Sequence, residues 1–416
     1  MFLNNPVFKN KEFKVLIIGT FLVNFGIRTC ATMMTWWIFE LTKEPIYIGY
    51  IGLVEIIPAI VFALWAGHLV DVVEKTKLIR WCILGFVVVY GSLLIISFLN
   101  HSKQNYHIII GAIYILVFFS GFIRAFSGPS LQSLVSFVLP HHQLPQGVSF
   151  QKAQFFISKV CSHILCGFLI YFLNYSGTMV FIFVLILIGG LFLLKISPKP
   201  ILKHKDEEPI FKSIKNGLDF VFTKKEILGP LSLDLFSVLF GGVVGVLPVY
   251  AAEILNCSSI GFGWLNAATD IGGIITILYC AKFPLKTKQG LKLIISVGIF
   301  GLSILVFGVS TNFYLSLIAL FISGLADGIS MVTRSSIIQL FTPLNMQGRV
   351  FSINSIFINS SNEIGQFESG FAAEEMGTVP SVIFGCCMTI AIVIMTFFTN
   401  KKLRHLEYST NIANTH

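Results

Sequence analysis

The chain has 416 residues, of which 55% are hydrophobic and only 12% charged, and its mean hydropathy is +0.83. A soluble domain carries about 25% charged residues, so this composition excludes one and points to a protein that crosses a membrane many times. The formal charge of +9 belongs mostly to lysines and arginines at the ends of apolar stretches, which removes it as an argument for nucleic-acid binding.

The opening "MFLNNPVFKNKEFKVLIIGTFLVNFG" sets basic residues before an apolar stretch, as a secretory signal does. The stretch continues to Phe39 without a small-residue cleavage site, so it reads as a first, retained span. Glycines, prolines and charge clusters then delimit spans near 13–39, 46–70, 78–99, 107–128, 150–173 and 176–195. A second set lies near 227–252, 259–283, 290–311, 313–341, 348–373 and 378–400. Each can cross roughly 30 Å of hydrocarbon, giving an all-α polytopic membrane protein of twelve transmembrane helices. The expected organisation is a six-helix bundle over 1–196, a cytoplasmic linker over 197–226, a second bundle over 227–400 and a cytoplasmic tail over 401–416. In the linker, Phe211, Ile214, Leu218 and Phe222 recur at helical spacing, which predicts an amphipathic helix lying on the membrane surface.

With the N-terminus inside, the outer loops hold only Lys43 and Lys103, while the inner segments hold most of the other basic residues. This asymmetry places both termini in the cytoplasm. Seven of the eight cysteines fall inside spans and Cys257 lies near a loop, so packing rather than a disulfide framework accounts for them. Faint repetition supports two related halves: "IGYIGLVEIIPAI" resembles "FGWLNAATDIGGI", and "LPQGVSF" resembles "NMQGRVFSI".

The segment "GHLVDVVEKTK" resembles the signature between helices two and three of the major facilitator superfamily. Gly67 and Asp71 match it, whereas Val72 and Glu74 replace its Arg and second Gly. The stretches "WWIFELTKEPIYIGYIGLVEIIPAIVFALWAGHLVD", "GFIRAFSGPS", "LDLFSVLFGGVVGVLPVYAAEIL" and "GRVFSINSIFINSSNEIGQFESG" resemble its bacterial drug and siderophore exporter branch, near enterobactin-exporter-like and macrolide-efflux-like proteins. The resemblance implies a multi-pass protein of the bacterial inner membrane that rocks between inward-open and outward-open states. It also implies a cytoplasmic latch at Gly67, Asp71, Lys75 and Lys77.

Setting aside loop and end charges leaves Arg28, Glu55, Arg124, Lys152, Lys159, Asp234, Asp270, Asp327, Arg334, Glu363 and Glu368 inside spans. Each would cost about 2.5–3.5 kcal/mol at the bilayer centre, so they are expected to face protein or water. Spans three, six, nine and twelve carry none away from their ends; the resemblance implies that these four form the outer support and the other eight a central cavity. The bases and acids can pair and lock helices together, or the carboxylates can take up and release protons, with Glu55, Asp234 and Asp270 as candidates. Arg28, Arg124 and Arg334 are fixed charges that would suit a siderophore of catecholate or carboxylate type. Lys152 should snorkel to the inner surface, while Lys159 lies deeper.

Span eleven holds "SINSIFINSSNEIGQFESG". At 100° per residue, Ile353, Ile356, Phe357, Ile364, Phe367 and Phe371 form an apolar face, and Asn359, Asn362, Glu363 and Gln366 form a polar one. Glu363, flanked by amides, is the expected titrating or ligand-contacting carboxylate; Glu368 is expected to be paired structurally.

No P-loop or nucleophile constellation is present, and adjacent His141 and His142 lack a metal-pair spacing, so neither an enzyme nor a metal or cofactor site is expected. The reading is a monomeric, proton-driven exporter of a small amphipathic molecule, meeting protons, lipid and its substrate. An importer of a nutrient or iron chelate is the alternative, and a non-transporting sensor a more distant one.

Overall fold

A computed structural model describes residues 6–99, 106–199, 210–283, 285, 287–343 and 346–407. Every long element is helical. In the first part these are α1 (Lys11–Thr42), α2 (Pro45–Val72), α3 (Lys75–Phe98), α4 (Tyr106–Val138) and α5 (Leu144–Leu193). There follow α6 (Ile210–Thr223), α7 (Lys225–Gly241), a short turn α8 (Leu247–Val249), α9 (Ser259–Lys282), α10 (Gln289–Val309), α11 (Phe313–Phe341), α12 (Gln347–Met376), α13 (Thr378–Thr399) and α14 (Lys401–Arg404).

Local chemistry sets several boundaries. The Asn10 side chain caps α1 by accepting from the Phe13 N–H at 3.1 Å, and Lys43 closes it in the left-handed region at φ 60°. Asn174 adopts φ 56° and ψ −174° inside α5, so this long helix is two helices meeting at a kink, where predicted spans five and six divide. Helix α4 runs ten residues beyond the predicted stop at 128, because Pro129 is accommodated within it.

One predicted span differs in kind. Residues 227–252 do not form a continuous helix: α7 ends at Gly241, Gly242 is extended, and helix resumes at Leu247 with Pro248 in its first turn before a π-helical turn at Tyr250–Ile254. A glycine pair that weakens helix, followed by a proline without an N–H, accounts for the break.

Among the described residues, nine helices are long and apolar enough to cross a membrane. One of them, over Gln146–Leu193, contains both arms of the Asn174 kink. Helix α7, with 17 residues, is short, and α12 is rich in Asn, Gln and Glu. Counting both arms and these two helices accommodates the twelve predicted spans.

The chain forms two compact units. Unit 1 comprises Met1–Lys43, Val54–Asp206 and Ser258–Gly263; unit 2 comprises Glu44–Leu53, Glu207–Cys257 and Trp264–His416. Each unit thus includes one short segment, Ser258–Gly263 in unit 1 and Glu44–Leu53 in unit 2, from the other side of the expected linker over 197–226. Glycine packing explains both: a Cβ on Gly52 would lie 2.4 Å from the Glu363 carbonyl oxygen within unit 2, and one on Gly167 would lie 2.4 Å from that of Ser259 within unit 1.

In unit 1, α1 and α5 pack through Gly19 and Gly189, where a side chain on either would enter the other helix. In unit 2, Leu233, Leu293, Ile294, Val297 and Ile337 form a core that Leu403 and Leu406 complete. The linker helix α6 buries Val221 in a cluster with Ile227, Leu231, Ile338, Val350 and Ile353, with Leu218 packed alongside, while Phe222 is exposed. The side chains of Phe211 and Ile214 lie outside the described residues.

Candidate functional site

Unit 1 brings Glu55 of α2 and Arg124 of α4 into an ion pair. Close helix approach makes this possible: a Cβ on Gly121 would lie 2.8 Å from the Glu55 carbonyl oxygen. Nearby, Tyr90 and Ser120 share a hydrogen bond of 3.0 Å. On α1, the Arg28 guanidinium carbon lies 4.2 Å from the centroid of the Phe155 ring of α5. One turn further, Thr32 Oγ1 meets His163 Nδ1 at 2.8 Å. Lys159 is half-buried between Phe155 and His163 on the same stripe of α5.

Unit 2 contains a second ion pair, between Asp234 of α7 and Arg334 of α11, and both side chains are buried. Beside it, Asp234, Ser237, Val238, Val297, Phe300, Ala326, Asp327 and Ser330 line a cavity of about 10 Å³, the space of roughly one water molecule. The hydroxyls of Ser237 and Ser330 and the Arg334 Nε are buried without a hydrogen-bond partner among the described residues. Asp270 lies half-buried in the middle of α9. Near it, Gly324 allows the helices to touch: a Cβ there would lie 1.9 Å from the Thr269 carbonyl oxygen.

On α12 the predicted polar face divides. Asn359 and Asn362 are exposed, whereas Gln366 is buried and donates through Nε2 to the Ile48 carbonyl at 3.0 Å. The expectation for the two glutamates changes as well. Glu363 is engaged by a neighbour, while half-buried Glu368 has no hydrogen bond or ion pair among the described residues. The reason is steric: α12 lies close enough to α7 for Gly365 to meet the Val238 and Leu239 carbonyls, which fixes the helix rotation without giving Glu368 a cation.

In the predicted latch, Lys75 is buried with its Nζ 4.7 Å from the Phe137 ring centroid, and Lys77 is exposed. The side chains of Gly67 and Asp71 lie outside the described residues.

Sequence reasoning missed His163, which lies four residues beyond Lys159 and hence on its face. It also set aside Glu40 as an end charge. Glu40 accepts from Trp36 Nε1 at 3.1 Å and from the Tyr175 hydroxyl, and Tyr175 stacks on Trp37 just after the Asn174 kink. The Trp36-to-Glu40 spacing of four residues was the available signal. Between the spans, burial pushes the Cys257 thiol up to about 11, so it stays protonated at neutral pH.

Helices long and apolar enough to cross a membrane that carry ion pairs in their interior mark a multi-pass membrane protein. The Major Facilitator Superfamily model matches residues 16–366, and the chain belongs to that family of non-enzymatic transporters. It is 22% identical over 402 residues to the Staphyloferrin A transporter of Staphylococcus aureus (strain NCTC 8325 / PS 47), covering 94% of this chain and 97% of that one. It is 30% identical over 168 residues to the quinolone resistance protein NorA of Staphylococcus aureus (strain N315), covering 39% and 42%. Its fold is similar to that of a D-xylose–proton symporter, with a TM-score of 0.72 at 13% identity, covering 95% and 99%.

Proposed function

We propose that this transporter exports a small amphipathic molecule by alternating access, driven by protons, with both termini in the cytoplasm. The observation that carries the coupling is the buried Asp234–Arg334 pair beside a cavity shared with Asp327. Arginine keeps its proton under physiological conditions, so the pair can change only through the carboxylate. Protonation of Asp234 leaves Arg334 without its counter-charge and favours a different helix arrangement; loss of the proton restores the pair. Asp327, with the hydroxyls of Ser237 and Ser330, supplies the polar route by which a proton reaches Asp234 through one water. The Glu55–Arg124 pair of unit 1, being more open, serves substrate entry rather than coupling.

The relatives named for staphyloferrin A and quinolone resistance support a siderophore or drug as cargo. The basic inner segments support the orientation. The test is proton movement in inverted membrane vesicles on addition of an amphipathic dye such as ethidium. The wild type should move protons and the Asp327→Asn and Asp234→Asn variants should not; undiminished proton movement in both variants would refute the coupling assignment.

A further inference from the structure

At one end of unit 2, basic side chains and exposed apolar ones lie side by side. Helix α13 is long and apolar enough to cross a membrane, and near its end it exposes Ile394, Met395 and Phe398, the last by 68%. Lys401 and Lys402 of α14 follow within four residues, and both are exposed. The start of α7 adjoins them: a Cβ on Gly229 would lie 2.9 Å from Asn400 Nδ2, and Lys402 Nζ lies 3.7 Å from a Glu226 carboxylate oxygen. Lys224 and Lys225, exposed at that start, add two further positive charges.

These charges are only lightly compensated. Lys224, Lys225 and Lys401 have no ion pair among the described residues. Lys402 shares Glu226 across a long contact with its own side chain 69% exposed, a pair that contributes little. The other acid nearby, Glu407, is directed to the start of α10, where it accepts from the Lys288 N–H at 3.2 Å.

The lysines of α14 are also held in place, as those of a loose tail would not be. The Asn400 side chain accepts from the Leu403 N–H at 3.0 Å, and Leu403 and Leu406 are buried in the core of unit 2. A Cβ on Gly290 would lie 1.7 Å from the Leu403 carbonyl oxygen, so only glycine lets the turn sit this close to α10. Arg404 is fixed against the Phe397 ring, 5.0 Å from its centroid. The turn thus spends its leucines and its arginine on anchoring and leaves its two lysines facing outward.

We infer that Lys224, Lys225, Lys401 and Lys402 form a binding site for one anionic phospholipid, with the phosphate among the lysines and the acyl chains along Ile394, Met395 and Phe398. A free phosphate would use the charges alone. The exposed apolar strip beside them is what selects a lipid, because a lysine that meets a headgroup while its helix meets hydrocarbon satisfies both surfaces at once.

The test is native mass spectrometry of the delipidated full chain in detergent, with equimolar phosphatidylglycerol and phosphatidylcholine of identical acyl chains as competing probes. Wild type should retain phosphatidylglycerol at least about tenfold over phosphatidylcholine. Lys401→Gln and Lys402→Gln should each lower that preference about fivefold, and the double variant should bring the two lipids close to parity. Lys282→Gln removes the same charge at the end of α9, outside the site, and should leave the preference unchanged. Equal retention of the two lipids by wild type, an undiminished preference in the double variant, or an equal loss in Lys282→Gln would overturn the assignment. Displacement of phosphatidylglycerol by millimolar inorganic phosphate would overturn it as well, since the site would then recognise the phosphate group without the lipid.

Discussion

Among the described residues each compact unit holds an arginine–carboxylate pair between two helices, Arg124–Glu55 and Arg334–Asp234, and the two pairs live in different surroundings. Arg124 and Glu55 are 37% and 15% exposed at the side chain, whereas Arg334 and Asp234 are 5% and 9% exposed. The chemistry is the same and the physics is not. An open pair exchanges readily with water, so making or breaking it changes little free energy. A sealed pair leaves an uncompensated charge behind when either partner goes, so it holds the helices in one of two states. The difference is the physical ground for seating the proposed switch in unit 2, beside the cavity that Asp327 shares.

The sharpest way to break that comparison is Asp234→Asn. With Arg334 buried and no longer matched, the substitution should destabilise the protein by about 3–5 kcal/mol, read as a lowered thermal midpoint in detergent. The double replacement Asp234→Leu with Arg334→Leu should recover most of the loss, because two apolar groups replace two charges. If Asp234→Asn melts like wild type, the pair is not a lock.

Next in size is Leu403→Ala. The turn α14 is part of unit 2's core: Leu403 is 1% exposed and shares a cluster with Leu233, the neighbour of Asp234, and with Val297, which lines the cavity. The Leu406 carbonyl accepts from the Gly290 N–H at 3.2 Å, which ties the turn to the start of α10. Truncation should cost about 2–3 kcal/mol, the lower part of the usual range, since the site is near an edge that can relax. A loss below about 1 kcal/mol would mean that the C-terminal turn merely rests on the core that seals the pair.

A smaller effect of opposite sign is expected at Glu368, a half-buried carboxylate without a partner among the described residues. Glu368→Gln removes a half-buried carboxylate that no described residue pairs with, and should raise stability by up to about 1 kcal/mol. Glu363→Gln should not, because Glu363 is engaged. A destabilised Glu368→Gln would show that this carboxylate has a charged partner, and the contrast between paired and unpaired acids would have to be redrawn.

Much of this fold was legible in the sequence, because length and hydropathy act locally. The division between predicted spans five and six falls on Asn174, whose left-handed backbone forms the kink. The break after Gly241 was missed because the apolar run hides it; Gly241, Gly242 and Pro248 were the signals, and hydropathy does not register backbone preference. The charges were legible as a set but not as pairs. Nothing in the spacing of Glu55 and Arg124, or of Asp234 and Arg334, says that their helices adjoin, since adjacency is set by packing between distant segments. His163 and Glu40 were missed for a different reason. Each acts through an uncharged partner, Thr32 in one case and Trp36 with Tyr175 in the other, and a search restricted to opposite charges passes over both.

The smallest expected effect is the most informative about the open pair. Arg124→Gln should cost about 1 kcal/mol or less, because this pair, with Arg124 37% exposed, is more open than the one between Asp234 and Arg334. Salt should separate the two pairs further. Ions screen exposed charges beyond about 8 Å at physiological strength, so raising salt should weaken what remains of the Arg124 contribution while leaving the Asp234→Asn penalty nearly unchanged. Stability measured at low and high salt for the two variants therefore ranks the pairs by their access to solvent, independently of any transport assay. If Arg124→Gln proves as costly as Asp234→Asn, and as indifferent to salt, then unit 1 also holds a sealed charge. The proton switch would then have two candidate seats, and only flux measured on each variant could choose between them.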